Sequence, residues 1–317
     1  MLNNLIFSLN ATIPIFIMMI FGWVCRRTEL LDDHTTEKLN KFTFRTTLPA
    51  LLFTDLSKAD FYSVWDTKFV LFCMGATLMS ILTAALYSLL HKDKSERGEI
   101  IQAAYRSSAA VLGIAFVNNI YGKSTMAALM IVGTVPLYNI AAVTVLSLTS
   151  PERDAHAGRK QLFLPTVRGI VTNPIIIGIA AGMIWSVLKI PQPVILDKSV
   201  SYLANMATPL SLIALGASFR ISDTRGKLPL TLGIAFIKLV LFCLMFLPLA
   251  VHIGFREEKL TAILVMLGSA TRGSCFVMAK NLGHKGTVTA FSVMLTTLLS
   301  SFTLTAWLFV LKTLKLI

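Results

Sequence analysis

Gly286–Leu311 reads GTVTAFSVMLTTLLSSFTLTAWLFVL, 26 residues without one Asp, Glu, Lys or Arg. A helix needs about 20 apolar residues to cross the hydrocarbon core of a bilayer, so this stretch is long enough to span one. Five more uncharged runs precede it: Met1–Cys25, Phe69–His91, Ser124–Pro151, Gly169–Leu188 and Ser199–Phe219. Of all 317 residues, 55% are hydrophobic and only 14% charged, against about 25% charged in soluble domains. That balance excludes a cytosolic enzyme, a disordered chain, a collagen and a secreted disulfide scaffold, because so much apolar surface must be hidden in lipid or in a core. The chain reads as an all-α polytopic membrane protein, and the lipid bilayer is its first partner.

Four weaker segments have spanning length if a basic residue deep within each is tolerated: 36–56 with Arg45, 99–122 with Arg106, 228–251 with Lys238 and 259–279 with Arg272. Together they predict ten transmembrane helices. The net charge of +13 is spread over short clusters between the apolar runs, so it marks topology and not a nucleic-acid partner. Assigning the loops with the N-terminus outside puts 16 Lys and Arg on the cytoplasmic side and 9 outside, which the positive-inside rule favours. A multi-pass protein of the plasma membrane (bacterial inner membrane) with both termini extracytoplasmic is expected. Met1–Asn10 lacks a basic n-region, so the first segment is read as retained and not as a cleaved signal. Cys25, Cys73, Cys243 and Cys275 stand singly, without CxxC spacing, and are read as reduced packing thiols.

Landmarks recur at a constant spacing. Pro14 and Pro174, Gly22 and Gly182, and Pro49 and Pro209 are each 160 residues apart, and PIFIMMIFGW (14–23) aligns with PIIIGIAAGM (174–183). A repeat of five helices per half is odd, so the copies must be inverted, with a pseudo-two-fold axis in the membrane plane. The expected organisation is a first five-helix repeat over 1–149, a cytoplasmic linker over 150–166 and a second, inverted repeat over 167–317.

AAYRSSAAVLGIAFVNNIYG followed by VGTVPLYN, then TNPIIIGIAAG, ATPLSLIALGASF, IKLVLF and the closing NLGHKGTVTAFSVMLTTLLSS resemble the bacterial auxin efflux carrier family over nearly the whole chain. The resemblance implies a PIN-like fold, close to that of bile acid–sodium symporters. Helices 4 and 9 would be broken where they cross at mid-membrane, helices 1, 2, 6 and 7 would form a scaffold, and helices 3–5 with 8–10 a crossing bundle. Family members include carriers of malate, malonate and auxin-like carboxylates. This chain lacks the prolines common at the two breaks, so Gly113 and Arg272-Gly273-Ser274 are expected to supply the irregular backbone. It also has Ser107-Ser108 where the family often has Asn.

The chemistry inside the bilayer points the same way. The carboxylates fall in loops or near helix ends, whereas Arg106, Lys238 and Arg272 fall deep in spanning segments. A buried cation is costly unless paired, hydrated or given an anion. A cavity that receives a small organic anion answers that cost. Arg45 is close enough to a helix end to snorkel, and Lys238 is open to a second role, binding free carbonyls at the crossing. Neutral donors complete the candidate site: Asn118 and Asn119 on helix 4, Tyr138 and Asn139 on helix 5, and Ser274 on helix 9. Their alternative role is interhelical hydrogen bonding. The candidate set is therefore Arg106, Gly113, Asn118, Asn119, Tyr138, Asn139, Lys238, Arg272, Gly273 and Ser274.

The five histidines map to loops or helix ends, which supports no metal site. There is no buried Asp pair, DDxxD, HExxH or GxxxxGK[ST], so neither an intramembrane enzyme nor an ATP-driven pump is indicated. The reading is a secondary active transporter working by alternating access on a mono- or dicarboxylate. It needs no cofactor, H⁺ or Na⁺ is the coupling ion left open, and a homodimer is compatible. An anion channel or a non-transporting sensor on the same scaffold is the alternative. Single cysteines at Lys123 and His156, in a background without the four native cysteines, are expected to react with impermeant reagents from opposite faces, His156 from the cytoplasm. Reaction of both from outside would overturn the topology.

Overall fold

Long runs of helix-compatible apolar residues become helix wherever the computed structural model describes the chain, namely residues 2–58, 65–122, 125–151, 168–169, 171–220 and 226–317. Most of the expected 150–166 linker, with His156, lies outside the described residues, as do Lys123 and Arg225. The first half comprises α1 (Leu2–Arg27), α2 (Asp33–Phe42), α3 (Leu48–Ser57), α4 (Thr67–Leu89), α5 (Arg97–Tyr105), α6 (Ala109–Tyr121) and α7 (Thr125–Thr149). A π turn, Thr43–Thr47, joins α2 to α3 without a break. The second half comprises α8 (Pro174–Val187), α9 (Val194–Ser218), α10 (Leu228–Phe236), α11 (Phe242–Ile253), α12 (Glu257–Gly268), α13 (Ser274–Asn281) and α14 (Thr287–Thr313). Another π turn, Ile237–Leu241, joins α10 to α11.

Five helices among the described residues are long and apolar enough to cross a membrane: α4, α7, α9, the continuous α10–α11 and α14. The polarity of the packing is that of a protein in lipid. On α4, Leu71, Leu78, Leu82 and Leu86 are exposed at helical spacing, while Cys73, Thr77, Ser80, Ala84 and Ser88 are buried. Helix α14 buries Thr289, Ser292, Thr296, Thr297, Ser300 and Ser301. Small residues on the inner faces let helices approach closely where lipid offers no hydrophobic drive to associate.

The 160-residue spacing recurs in the structure. The segment α5–α6 runs from Arg97 to Tyr121 and α12–α13 from Glu257 to Asn281, so both boundaries are displaced by that number. Gly22 of α1 lies against the backbone carbonyl of Ile213 on α9, and Gly182 of α8 lies against that of Phe53 on α3. Each contact is the other's image under the same shift. Helix starts behave alike: Glu258 accepts from the Met126 amide at 2.8 Å, capping α7, and Glu99 accepts from the Gly286 amide at 2.8 Å and the Thr289 amide at 2.9 Å, capping α14. Pro174 opens α8 at its first turn, with Asn173 Oδ1 capping the Ile175 amide at 2.9 Å, where proline is favoured and causes no kink.

A methyl group at Gly22 or Gly182 would run into the facing carbonyl, and backbone cannot move aside as a side-chain tip can. Gly22→Ala and Gly182→Ala are each expected to destabilise the detergent-solubilised protein by about 1–3 kcal/mol, the usual range for overpacking. Gly75→Ala on α4, with nothing within 4 Å of the added carbon, is the neutral control. Equal thermal midpoints for all three would refute the close contact.

Candidate functional site

Two helices break in the middle of the molecule, and the breaks meet. Helix α5 stops at Tyr105; Arg106 is extended, with φ −80° and ψ 119°, and α6 starts at Ala109. Helix α12 stops at Gly268, Ser269 is extended, and α13 starts at Ser274. Ser107 and Thr271 form an antiparallel bridge where the strands cross, and the Ser108 amide donates to the Ala270 carbonyl at 3.0 Å. The first break is therefore at Arg106–Ser108 and not at Gly113, which is buried inside α6 against Met130. Gly273, by contrast, does sit at the second break, as the residue immediately before α13.

Breaking a helix leaves backbone groups that water cannot reach, and each needs a partner. Lys238, fully buried on the π turn, donates through Nζ to the Tyr105 carbonyl at 3.2 Å, to the Leu267 carbonyl at 3.2 Å and to Ser107 Oγ. One ammonium thus ends both broken helices. Thr271 Oγ1 donates to the Ala103 carbonyl at 2.7 Å, and the Thr271 amide to Thr296 Oγ1 on α14 at 3.0 Å. The Met266 carbonyl accepts from Ser107 Oγ and, at 3.2 Å, from the Tyr138 hydroxyl. Gln102 Nε2 donates to the Cys275 carbonyl at 2.9 Å.

The three interior cations thus meet different fates. Lys238 is spent on carbonyls. Arg106 is 3% exposed and holds neutral partners, Asn139 Oδ1 at 2.5 Å through Nη2 and the Met278 sulfur through Nη1. Asn139 is itself fixed by donating to the Val135 carbonyl at 2.8 Å. Arg272 is 7% exposed, yet its Nη2 is buried without a hydrogen-bond partner, and the Ser274 hydroxyl two residues on is buried and unpartnered as well. The Arg106 and Arg272 guanidinium groups are near enough to repel each other.

The interior is not free of carboxylates, contrary to the expectation from sequence. Asp55 on α3 acts on Arg272 electrostatically, although no ion pair forms between them, and its Oδ2 is buried and unpartnered. Glu99 is 1% exposed and consumed in capping α14. Both lie near helix ends in the chain, a position that gives no sign of burial. His284 is likewise a loop residue that turns out buried, its ring nitrogens facing the Ser95 carbonyl at 3.2 Å and the Leu146 carbonyl at 3.0 Å. Of the other expected residues, Tyr138 and Asn139 join the crossing. Asn118 does not: it is exposed on α6, ten residues beyond Ser108 or about 15 Å along the helix. The Asn119 side chain lies outside the described residues. No group of His, Cys, Asp and Glu able to hold a metal occurs among the described residues.

A family model described as "Membrane transport protein" matches residues 7–308. The "Putative malonate transporter" of Rhizobium meliloti (strain 1021) is 26% identical over 323 residues, covering 96% of this chain and 95% of that protein. The "Uncharacterized transporter YfdV" of Escherichia coli (strain K12) is 21% identical over 275 residues, covering 85% and 87%. An "Uncharacterized transporter" of Methanothermobacter thermautotrophicus is 20% identical over 306 residues, covering 95% and 97%.

Lys238→Met keeps length and apolar volume but removes the donor shared by two buried carbonyls, each costing about 1–3 kcal/mol when orphaned. Its thermal midpoint in detergent is expected to fall by more than that of either glycine variant. A midpoint equal to that of the parent protein would show that the crossing does not depend on the ammonium.

Proposed function

Because the chain belongs to the membrane transport protein family, that of the auxin efflux carriers, we propose that it is a secondary active transporter moving a small organic anion by alternating access. The observation that carries the anion is Arg272. Its buried Nη2 and the buried Ser274 hydroxyl are donors without acceptors, set at the N-terminal end of α13. An unpaired buried donor is costly, a helix N-terminus favours negative charge, and a guanidinium fork matches a carboxylate bidentately. Arg106, Lys238 and Arg272 are all buried, and the one carboxylate that acts on Arg272, Asp55, forms no ion pair with it, so the crossing has room for further negative charge. Malonate, in the name of the Rhizobium relative, is the first substrate to test.

The ten-helix count and the inverted relation of the halves are part of this proposal. Reciprocal contacts at a 160-residue spacing and the antiparallel meeting of the breaks support them. In this reading α1, α2–α3, α8 and α9 form the scaffold, and the remaining helices form the bundle that carries the site from one face to the other, with both termini outside.

Arg272→Lys is expected to weaken carboxylate binding about tenfold despite keeping the charge, since a point charge replaces a bidentate fork. Arg272→Gln should weaken it further, with membrane abundance near that of the parent protein. Calorimetric titration with malonate, malate, indole-3-acetate and size-matched amines reads the result. Binding of amines in place of carboxylates, or normal malonate transport by Arg272→Gln, would sink the anion-carrier reading.

A further inference from the structure

A cavity of about 710 Å³ opens between α2 with its π turn, the end of α9, α13 and the start of α14. Its charges do not cancel. Lys41 pairs with Glu37 at 2.7 Å, and Asp33 is taken by Arg26 at 2.7 Å and Arg220 at 3.5 Å. Arg45, Lys280 and Lys285 also line the cavity, and none has a carboxylate partner among the described residues. Three cations without an ion pair among the described residues therefore line one partly open cavity, Lys280 being near enough to Glu37 to act on it.

The wall also holds polar atoms that nothing satisfies. Thr36 and Asn40 are 5% and 3% exposed, and Thr36 Oγ1 and Asn40 Oδ1 are buried without hydrogen-bond partners. Thr36 lines the cavity, and its hydroxyl is an unpartnered donor buried just beneath the wall. Gly286, at φ +78°, lets the first turn of α14 press on the Phe276 ring and the Lys280 stem, where a Cβ would come within 2.8 Å and 3.0 Å. That contact restrains the stem carrying one of the three charges. Phe276, on α13, lines the cavity too, four residues beyond Arg272 in the chain.

We propose that this vestibule is a second anion site, which collects small carboxylates ahead of Arg272 through Arg45, Lys280, Lys285 and the Thr36 hydroxyl. Its place on a transport route rests on the carrier reading above, whereas its attraction for anions rests only on its own residues. A concave site with an excess of one sign of charge, here five cations against Asp33 and Glu37, raises the local concentration of its counter-ion roughly tenfold or more. Acetate, malonate and malate share the chemistry it would recognise.

The test uses the full-length protein with the four buried native cysteines replaced by Ala or Ser and one new thiol at Ser218→Cys, on the vestibule wall. Size-matched anionic and cationic methanethiosulfonates report the local potential. Relative to free cysteine, the anionic reagent is expected to be favoured by about tenfold or more. The ratio should fall toward one in Arg45→Gln/Lys280→Gln/Lys285→Gln and shrink at high salt. Malonate, malate or acetate should slow modification, and Thr36→Val should weaken that protection while leaving the charge ratio intact. A flat ratio in the parent background, a ratio unmoved by the triple substitution, or no protection by any of the three carboxylates overturns the proposal. Arg272→Gln separates the two readings. If it abolishes malonate transport while the reagent ratio is flat, the vestibule site falls alone. If it transports normally while ratio and protection persist, the carrier site falls and the vestibule stands.

Discussion

Everything at the centre of this molecule depends on one ammonium group touching the ends of two helices. Lys238 Nζ donates to carbonyls of α5 and α12 and to the Ser107 hydroxyl between them. A polypeptide can stop being helical inside a bilayer only if the freed backbone is satisfied by protein. Here the π turn that bears Lys238 is itself such an exception, and the Trp307 indole on α14 donates to the neighbouring Leu239 carbonyl at 3.0 Å. The crossing is thus closed by side chains of α7, the π turn and α14 bonded to backbone of the broken helices, and by Ser107, Thr271 and Gln102, each bonded to backbone of the other break.

Three cations with one location in the sequence logic therefore divide by how completely the fold uses them. Lys238 is exhausted by structure, Arg106 is held by an amide and a thioether, and Arg272 keeps an unmet donor. A buried ammonium whose three donors go to two backbone carbonyls and a hydroxyl has little left to offer a ligand. The residue with the least internal satisfaction is the one with the most to gain from an incoming carboxylate.

Much of this was legible in the residues. Uncharged runs announced the helices, the family resemblance implied the crossing of two broken helices, and Pro14, Gly22 and Pro49 with their counterparts suggested a 160-residue spacing that recurs in the boundaries of α5–α6 and α12–α13. The exact break points were not. Gly113 looked the natural weak point of its helix, yet α6 runs through it, because a break is stable where Lys238 and Thr271 can take the carbonyls and not where a glycine permits bending. Those partners come from 133 and 168 residues away, beyond the reach of local pattern. Asp55 and Glu99 were hidden for a related reason: closeness to a helix end in the chain does not mean closeness to water. Asn118 was misplaced by the lack of any rotational phase for α6 once the helix before it had been broken.

The glycine contacts carry a mechanical meaning. Where α1 meets α9 and α8 meets α3, backbone rests on backbone, with no side chain between to change rotamer. Sliding either pair by one residue would set a Cβ against a carbonyl oxygen, so these seams resist shear in the way a keyed joint does. The neighbouring faces are filled by deformable side chains such as Met130 against Gly113 and Leu212 against Gly273. Stiffness in this protein is therefore distributed unevenly, hard along the two glycine seams and compliant around the broken helices.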